Sequence, residues 1–140
     1  MSEDREAYIL DTSALFTYIE DEAGADVVEQ LLIDAEEGRI RILVSFISLT
    51  ELFYITAREK GDTVAQERLA LLLSLSITIQ ESEVLVNTEA GRLKNKHRIS
   101  LADAYIAALC KIHSGILVHK DPEFEQLTTL IKEHRLPYKK

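Results

Sequence analysis

The sequence predicts an α/β domain built on a mainly parallel, doubly wound sheet. Short apolar runs with strand chemistry alternate with longer segments of helical periodicity, and this alternation is typical of parallel sheets with right-handed crossovers. The 140 residues are 46% hydrophobic, which is enough for one domain to bury a core of its own. The sequence contains no internal repeat, linker or low-complexity segment, so we expect a single domain over residues 1–140.

The charge balance narrows the range of partners. Sixteen Lys and Arg residues against 24 Asp and Glu residues give a net charge of −8, so any contact with nucleic acid must be local. Cys110 is the only cysteine, which excludes an intrachain disulfide and favours a reducing compartment. Residues 1–6 are polar, and no apolar stretch long enough for a signal peptide or a membrane span follows them. We therefore expect a cytoplasmic protein.

The chain begins with a strand followed by two helices. Residues 8–10 form the predicted strand, which ends at Asp11-Thr12-Ser13, a sequence typical of a strand-to-helix turn and an N-cap. Helical spacing over residues 14–19 and 27–35 predicts two helices, and Gly38 ends the second. Asp11 is thus expected at the carboxyl end of the first strand.

A second predicted strand leads directly into a helix. Residues 41–47 are rich in β-branched and aromatic residues, which is typical of a buried strand. Ser48 then fits the N-cap of a helix over residues 50–60, with Glu51 at its N3 position and Gly61 at its end. Glu51 is therefore predicted just past the carboxyl end of a strand.

The next predicted helix contains an apolar stretch that is typical of self-association. It is predicted to be capped by Asp62 or Thr63, and residues 69–75 are apolar on nearly all sides. Such a helix must be covered on more than one side, either inside the fold or by a second copy of the chain. A homodimer is therefore expected.

The last part of the chain repeats the alternation of strand and helix. Residues 77–79 form a predicted strand, and a helix capped at Ser82 follows. Ser100 caps a further helix over residues 101–113, and residues 116–118 are the last predicted strand. Asp121-Pro122 comes directly after it, so another acid is placed at a strand end.

Four acids are thus expected at one edge of the sheet. Asp11 and Asp121 follow strands, while Glu51 and Asp103 each stand three residues after a serine that can cap a helix. The carboxyl ends of strands in a doubly wound sheet lie at one edge, where ligands bind, so all four acids can reach one crevice. A serine followed by an acid at this spacing is also a capping box, and that interpretation stays open.

A shared crevice of carboxylates predicts a divalent metal site. Carboxylates packed together raise each other's pKa unless a cation neutralises them. Oxygen ligands without a nearby Cys or His pair favour Mg²⁺ or Mn²⁺ over zinc. Because such ions polarise a phosphoryl oxygen and activate water, phosphodiester hydrolysis fits this site. Separate capping and turn roles for each acid are the alternative.

Four segments of the sequence together resemble the PIN-domain family. They are residues 11–15, 50–52, 100–107 and 117–124, in the family's order, and the likeness extends from residue 8 to about 127. It is greatest to the small, single-domain toxins of prokaryotic type II toxin–antitoxin pairs, which are called VapC-like. The resemblance implies a three-layer α/β/α fold, Mg²⁺- or Mn²⁺-dependent endoribonuclease activity, a homodimer, and a small antitoxin that covers the site. The acids that match the family's catalytic and metal-binding positions are Asp11, Glu51, Asp103 and Asp121.

The same resemblance implies supporting roles near these acids. Ser13 and, less closely, Thr12 match a hydroxyl position that holds a carboxylate or a metal-bound water in the family. His119 stands where the family commonly has threonine, so we expect a hydrogen-bonding neighbour of Asp121 rather than a ligand. Glu123 is interpreted as a solvent-facing residue, with an outer acid of this group as the alternative.

The only dense basic run lies directly before Asp103. Cations beside an acidic metal crevice are expected where a phosphate backbone binds. A solvated helix end, whose cations interact favourably with the helix dipole, is the alternative interpretation. The predicted RNA-binding residues of this basic run are Arg92, Lys94, Lys96 and Arg98.

Two other classes of function stay open. One is a PIN-like interaction module without catalysis, although the presence of all four acids argues against a decayed site. The other is a metal-dependent phosphomonoesterase or phosphotransferase; an enzyme of the haloacid-dehalogenase type would need an aspartate where Ser13 stands. RNA cleavage that is lost on chelation, with no turnover of phosphomonoesters, would separate the nuclease from both.

Overall fold

The computed structural model describes residues 5–138; residues 1–4, which belong to the polar N-terminal segment, and residues 139–140 lie outside the described range. The strands are β1 (Ala7–Leu10), β2 (Arg41–Ser45), β3 (Thr78–Gln80), β4 (Ile116–His119) and β5 (Lys132–Arg135). The α-helices are α1 (Thr12–Ile19), α2 (Ala25–Glu36), α3 (Phe46–Lys60), α4 (Asp62–Ser74), α5 (Val84–Lys96) and α6 (Leu101–His113), and a 3₁₀ helix covers Pro122–Leu127.

The five strands form one parallel sheet in the order β3-β2-β1-β4-β5. The chain moves outward from β1 to β3 on one side and then returns to place β4 on the other side of β1. This reversal makes the carboxyl ends of β1 and β4 the switch point of the sheet, where ligand sites form in such folds. The predicted mainly parallel sheet is confirmed.

Helices cover both faces of the sheet, which confirms the three-layer architecture. On one face, Ile9, Leu43 and Leu117 belong to a core shared with α5 and α6. On the other face, Leu10 and Val44 belong to a core shared with α1, α2, α3 and α4. Successive strand residues point to opposite faces, and both faces are buried, so the strands contain continuous apolar runs rather than alternating ones.

The close contact between α6 and the sheet depends on how α6 ends. Ser114 adopts a left-handed conformation with φ of 50°, and β4 begins after one further residue, Gly115. A Cβ atom at Gly115 would collide with the Ile9 side chain and lie 3.0 Å from the Ala7 carbonyl oxygen. Only glycine fits there, and the chain can pass directly beside β1.

The start of α3 differs from the prediction. The helix begins at Phe46 rather than near residue 50, and its N-cap is Ser45, whose hydroxyl accepts a hydrogen bond from the Ile47 N–H at 3.3 Å. Phe46 and Ile47 have strand propensity, but the Phe46 ring packs edge-on against Tyr105 of α6 with 5.1 Å between ring centroids. Tertiary packing therefore overrides local propensity, and the predicted N-cap at Ser48 is wrong.

Three other boundaries also differ. Helix α4 is capped by Gly61 without a side-chain hydrogen bond, so neither Asp62 nor Thr63 is its cap. Helix α5 begins at Val84 after Glu83, which places Ser82 outside the cap. Strand β5, with the sequence KEHR, was not predicted, because an edge strand of charged residues has no hydrophobic pattern.

The Leu-rich part of α4 is only partly covered by its own chain. Leu72 is fully buried, whereas Leu71 and Leu73 are 42% and 56% exposed. The helix therefore leaves one apolar side chain on each side of the buried Leu72 in contact with solvent in the single chain. Within residues 5–138, no helix has both the length and the apolar character that crossing a bilayer requires.

Candidate metal centre

The four acids predicted at one edge of the sheet line a single cleft there. This acidic cleft has a volume of about 280 Å³ and lies at the switch point between β1 and β4. Its lining residues are Asp11, Thr12, Ser13, Phe16, Glu51, Ile55, Ser100, Asp103, Asp121 and Glu123. Carboxylates that are distant in the sequence thus meet in one place.

Asp11 is fixed at the bottom of the cleft by hydrogen bonds. It is 2% exposed and caps α1 by accepting a hydrogen bond from the Ala14 N–H at 2.8 Å. The Ser13 hydroxyl lies 2.7 and 2.8 Å from its two carboxylate oxygens. Burial raises the pKa of Asp11 to about 7, although these hydrogen bonds lower it, and repulsion from Asp121 and Glu51 adds to the rise. Its ionised form is therefore costly without a cation.

Glu51 enters the cleft from α3. Its carboxylate accepts a 2.6 Å hydrogen bond from the Thr12 hydroxyl, which also lies 3.0 Å from the hydroxyl oxygen of the buried Ser48. Because α3 begins at Phe46, Glu51 lies in the second turn and not at N3, so the predicted capping box at this position is wrong. Its carboxylate is oriented by Thr12 instead.

Asp103 has only half of the predicted capping box. The Ser100 hydroxyl accepts a hydrogen bond from the Asp103 N–H at 3.1 Å, which confirms Ser100 as the N-cap of α6. The Ser100 N–H, which a capping box would pair with Asp103, instead donates to Glu123 at 2.8 Å. The Asp103 carboxylate is therefore available to the cleft. Burial, a hydrogen bond with Glu123 and repulsion from Asp121 raise the pKa of Asp103 well above its usual range.

Glu123, for which the sequence favoured a solvent-facing position over that of an outer acid, belongs to the acidic cluster. Carboxylate oxygens of Asp103, Asp121 and Glu123 lie within 4.8 Å of one another, so the interpretation of Glu123 as solvent-facing is wrong. Asp121 caps the 3₁₀ helix by accepting a hydrogen bond from the Glu123 N–H at 2.9 Å, and this turn directs Glu123 towards Ser100. In the sequence, the only indication of this role is that Glu123 stands two residues after Asp121.

The buried His119 contacts the cleft through the backbone of Asp121. Its side chain has no exposed surface, and its Nδ1 accepts a hydrogen bond from the Asp121 N–H at 3.1 Å. Its Nε2 lies 3.4 Å from the Glu133 carboxylate. Burial lowers the pKa of His119, which favours the neutral ring. Both nitrogens are thus engaged away from the cleft, as expected for a hydrogen-bonding neighbour.

The acidic cleft fits a hard divalent cation. Among the ion pairs formed by residues 5–138, none includes a carboxylate of this cleft, and no Lys or Arg lines it. Five carboxylates therefore share a small space without a protein cation, and every potential ligand atom is an oxygen. Such a donor set could hold Mg²⁺ or Mn²⁺.

The basic run lies next to the cleft along the chain but does not line it. Arg92 and Lys96 line a separate depression of about 340 Å³, and Arg92 pairs with Glu89 at 3.4 Å. The Lys94 ammonium donates to the Ile99 carbonyl at 2.7 Å. The Arg98 backbone is bonded at both its N–H and its carbonyl to the Gln126 side chain. The basic residues therefore form an exposed surface in the segment that precedes Ser100.

Comparison with known proteins identifies the family. The family model of the PIN domain matches residues 8–130. No curated protein sequence matches the chain. Similar solved structures include VapBC2 from Rickettsia felis bound to a promoter DNA fragment, with 20% identity over 94% of this chain and 99% of that chain, at a TM-score of 0.76.

Two further structures have the same fold. DNA-bound VapBC from Salmonella typhimurium is 17% identical over 93% of this chain and 98% of that chain, with a TM-score of 0.74. VapC20 from Mycobacterium tuberculosis, described as a toxin that cleaves the Sarcin-Ricin loop, is 16% identical over 85% of this chain and 93% of that chain, with a TM-score of 0.66. Since the PIN-domain match spans most of the sequence, this chain belongs to the PIN-domain family.

Proposed function

We propose that this protein is a Mg²⁺- or Mn²⁺-dependent endoribonuclease, the toxin of a type II toxin–antitoxin pair. The observation that carries this proposal is the acidic cleft, in which acids from four parts of the chain meet without a protein cation. Membership of the PIN-domain family and the similarity in fold to VapBC proteins support it. VapC20, which has this fold, is described as a toxin that cleaves the Sarcin-Ricin loop.

The proposed metal ligands are the acids of the cleft. We assign Asp11, Glu51, Asp103 and Asp121 to the metal, with Glu123 as an additional candidate. When bound, the ion would polarise a phosphoryl oxygen and activate water. The side chains of the protein would position these acids and bind the RNA.

The hydroxyl groups of the β1–α1 turn would keep two of these acids in place. Ser13 holds Asp11, and Thr12 holds Glu51, through the short hydrogen bonds described above. Ser13 also accepts a hydrogen bond from the Lys120 N–H at 2.9 Å, which ties the turn after β1 to the segment after β4. These contacts orient the carboxylates before any ion or substrate binds.

The RNA backbone would cross the basic run on its way to the cleft. Arg92, Lys94 and Lys96 are exposed, and Arg98 is separated from Ser100 of the cleft by one residue. On a protein of net charge −8, a local patch of this kind is what a polyanion needs in order to approach. Its contribution is to binding and not to chemistry.

The proposed partners are a second copy of the chain and a small antitoxin in the cytoplasm. The exposed Leu71 and Leu73, which flank the buried Leu72 of α4, support a homodimer, since a second copy of the chain would remove their apolar surface from water. Sedimentation of the wild type against a Leu73→Glu variant tests the dimer: the variant should be monomeric, and an unchanged mass would exclude this face. The antitoxin follows from the similar VapBC structures.

One assay separates the proposed activity from its alternatives. The full chain is incubated with total RNA, with and without Mn²⁺, and in parallel with p-nitrophenyl phosphate. We expect RNA cleavage that EDTA abolishes and no turnover of the monoester. Cleavage of neither substrate would favour the interaction module, whereas turnover of the monoester alone would favour a phosphomonoesterase.

A further inference from the structure

We propose that Glu133 and His119 form a positioning pair for Asp121, so that the charged edge strand β5 helps to fix the geometry of the acidic cleft. The consequence for activity rests on the proposed nuclease function, whereas the hydrogen bonds of the pair can be tested without metal or RNA. Neither residue touches substrate in this proposal, and both act through Asp121.

The geometry determines which nitrogen of His119 carries the proton. The Asp121 backbone N–H can only donate, and it lies 3.1 Å from Nδ1, so Nδ1 must be the acceptor. The ring proton of the neutral imidazole is then on Nε2, which faces the Glu133 carboxylate at 3.4 Å. The ring has no exposed surface, so water does not compete for either nitrogen.

The position of Glu133 is itself supported by its neighbours. Arg135, two residues further along β5, contacts the Glu133 carboxylate. The Phe124 ring also packs edge-on with the His119 ring, with 5.1 Å between ring centroids. The imidazole is therefore held by an ion-paired carboxylate at one nitrogen and by contact with an aromatic ring.

The pair acts on the turn that carries two acids of the cleft. A side-chain acceptor at His119 that bonds the N–H two residues later closes a turn of the Asx or Ser/Thr type. This turn fixes the backbone of Asp121, whose carboxylate in turn caps the 3₁₀ helix at Glu123. A threonine or asparagine could supply the same acceptor. A buried imidazole additionally needs a partner for its second nitrogen, and Glu133 provides it.

The first test is made on the metal-free, full-length chain by NMR. Long-range ¹H–¹⁵N correlations should show the neutral Nε2–H tautomer of His119. Backbone hydrogen exchange at Asp121 should be at least about tenfold faster in His119→Leu than in the wild type, because a closed hydrogen bond protects an amide. His119→Asn, which keeps an acceptor at this position, should restore the protection.

Metal affinity provides the second readout. Mn²⁺ affinity should fall by about 10- to 100-fold in His119→Leu, the range typical of residues that orient a metal ligand, and should recover in His119→Asn. Glu133→Ala should weaken both amide protection and Mn²⁺ affinity by a smaller factor. Glu125→Ala is the matched control, because Glu125 also pairs with Arg135 but makes no bond to His119; we expect wild-type values.

Each outcome is decisive. A proton on Nδ1, or a folded His119→Leu with unchanged Asp121 exchange and Mn²⁺ affinity, would overturn the positioning pair. If His119→Leu does not fold, equal values for Glu133→Ala and Glu125→Ala would overturn it. If the wild type binds no Mn²⁺ and cleaves no RNA, the proposed function fails, while the tautomer and the exchange rates still decide this inference.

Discussion

The acidic cleft and the basic run are close in the sequence, but the fold builds them in different ways. Asp11 and Asp103 are 2% and 8% exposed, and hydroxyl and backbone donors hold the carboxylates of Asp11, Glu51 and Asp121 in place. The basic side chains are exposed, and Arg92 forms an ion pair with Glu89 within its own helix. The cleft is a preorganised site, whereas the basic run is a surface whose charges can rearrange.

This difference has an energetic meaning. Buried carboxylates that face one another store unfavourable electrostatic energy, which a bound cation would release. Exposed ion pairs, by contrast, contribute little to stability and are screened by salt. Changes in the acidic cleft should therefore have large effects that depend on metal, while changes in the basic run should have small effects that depend on ionic strength.

The largest effect is expected for Asp103→Asn. The amide keeps the size of the side chain but binds cations poorly, so cleavage should fall by more than about 100-fold. The folded protein should be at least as stable as the wild type, since the fold no longer has to bury a carboxyl group whose ionised form it disfavours. RNA cleavage rates and thermal unfolding measure the two effects. Asp26→Asn, an exposed acid in the first turn of α2, is the control. Near-normal turnover would remove Asp103 from the site.

The second prediction concerns pH and metal together. In the folded, metal-free protein the pKa of Asp11 is raised to about 7 and that of Asp103 is also raised, whereas an unfolded aspartate titrates at about 4. The folded state therefore binds more protons than the unfolded state in this window, and its free energy of unfolding should fall as pH rises from about 4 through 7.

A divalent ion should reverse this trend, because it competes with the same protons. Mn²⁺ should stabilise the protein little at pH 5.5 and by about 2.7 kcal/mol at pH 8 when it is present at 100 times its dissociation constant. Denaturant unfolding at both pH values, with and without Mn²⁺, measures this. A metal-free stability that rises over this range, with no Mn²⁺ effect at pH 8, would mean that the cleft is an ordinary polar surface.

The sequence predicted the convergence of the acids because it depends on topology. Strands that alternate with helices form a parallel sheet, and a parallel sheet brings Asp11 and Asp121 to the same edge whatever the details of packing. The N-cap at Ser100 could also be predicted from the sequence, because a cap is a local interaction. The prediction that rested on topology and the cap at Ser100 were confirmed, whereas the caps predicted at Ser48, at Asp62 or Thr63, and at Ser82 were wrong.

The remaining features depend on contacts that no local pattern encodes. The N-terminus of α3 moves to Phe46 because that ring packs on Tyr105, which is distant in the sequence. Strand β5 has no apolar pattern, since it is an edge strand with the charged sequence KEHR. Glu123 joins the cleft only because the Asp121 turn directs it to the Ser100 N–H. None of these three features can be predicted without the tertiary structure.

A smaller effect is expected when the support of an acid is removed instead of the acid itself. Ser13→Ala deletes the hydroxyl that contacts both oxygens of Asp11 and accepts from the Lys120 N–H. Mn²⁺ affinity and the cleavage rate should each fall by about tenfold or more. Calorimetric Mn²⁺ titration measures the affinity. Ser74→Ala, which removes an exposed hydroxyl bonded to the Leu71 carbonyl, should behave as the wild type. Equal values for the two variants would show that Asp11 needs no such support.

The smallest effect is expected in the basic run. Lys96→Gln is the cleanest substitution there, since the Lys94 ammonium also supports the end of its helix through Ile99. It should raise the KM for RNA a few-fold and leave kcat unchanged. The slope of log affinity against log salt should become shallower by about 0.7 for one lost phosphate contact with a single strand. Arg39→Gln, an exposed and ion-paired cation after α2, should leave both quantities unchanged. If Lys96→Gln lowers kcat instead, the basic run acts on the chemistry, and the contrast between a rigid cleft and an adaptable surface is wrong.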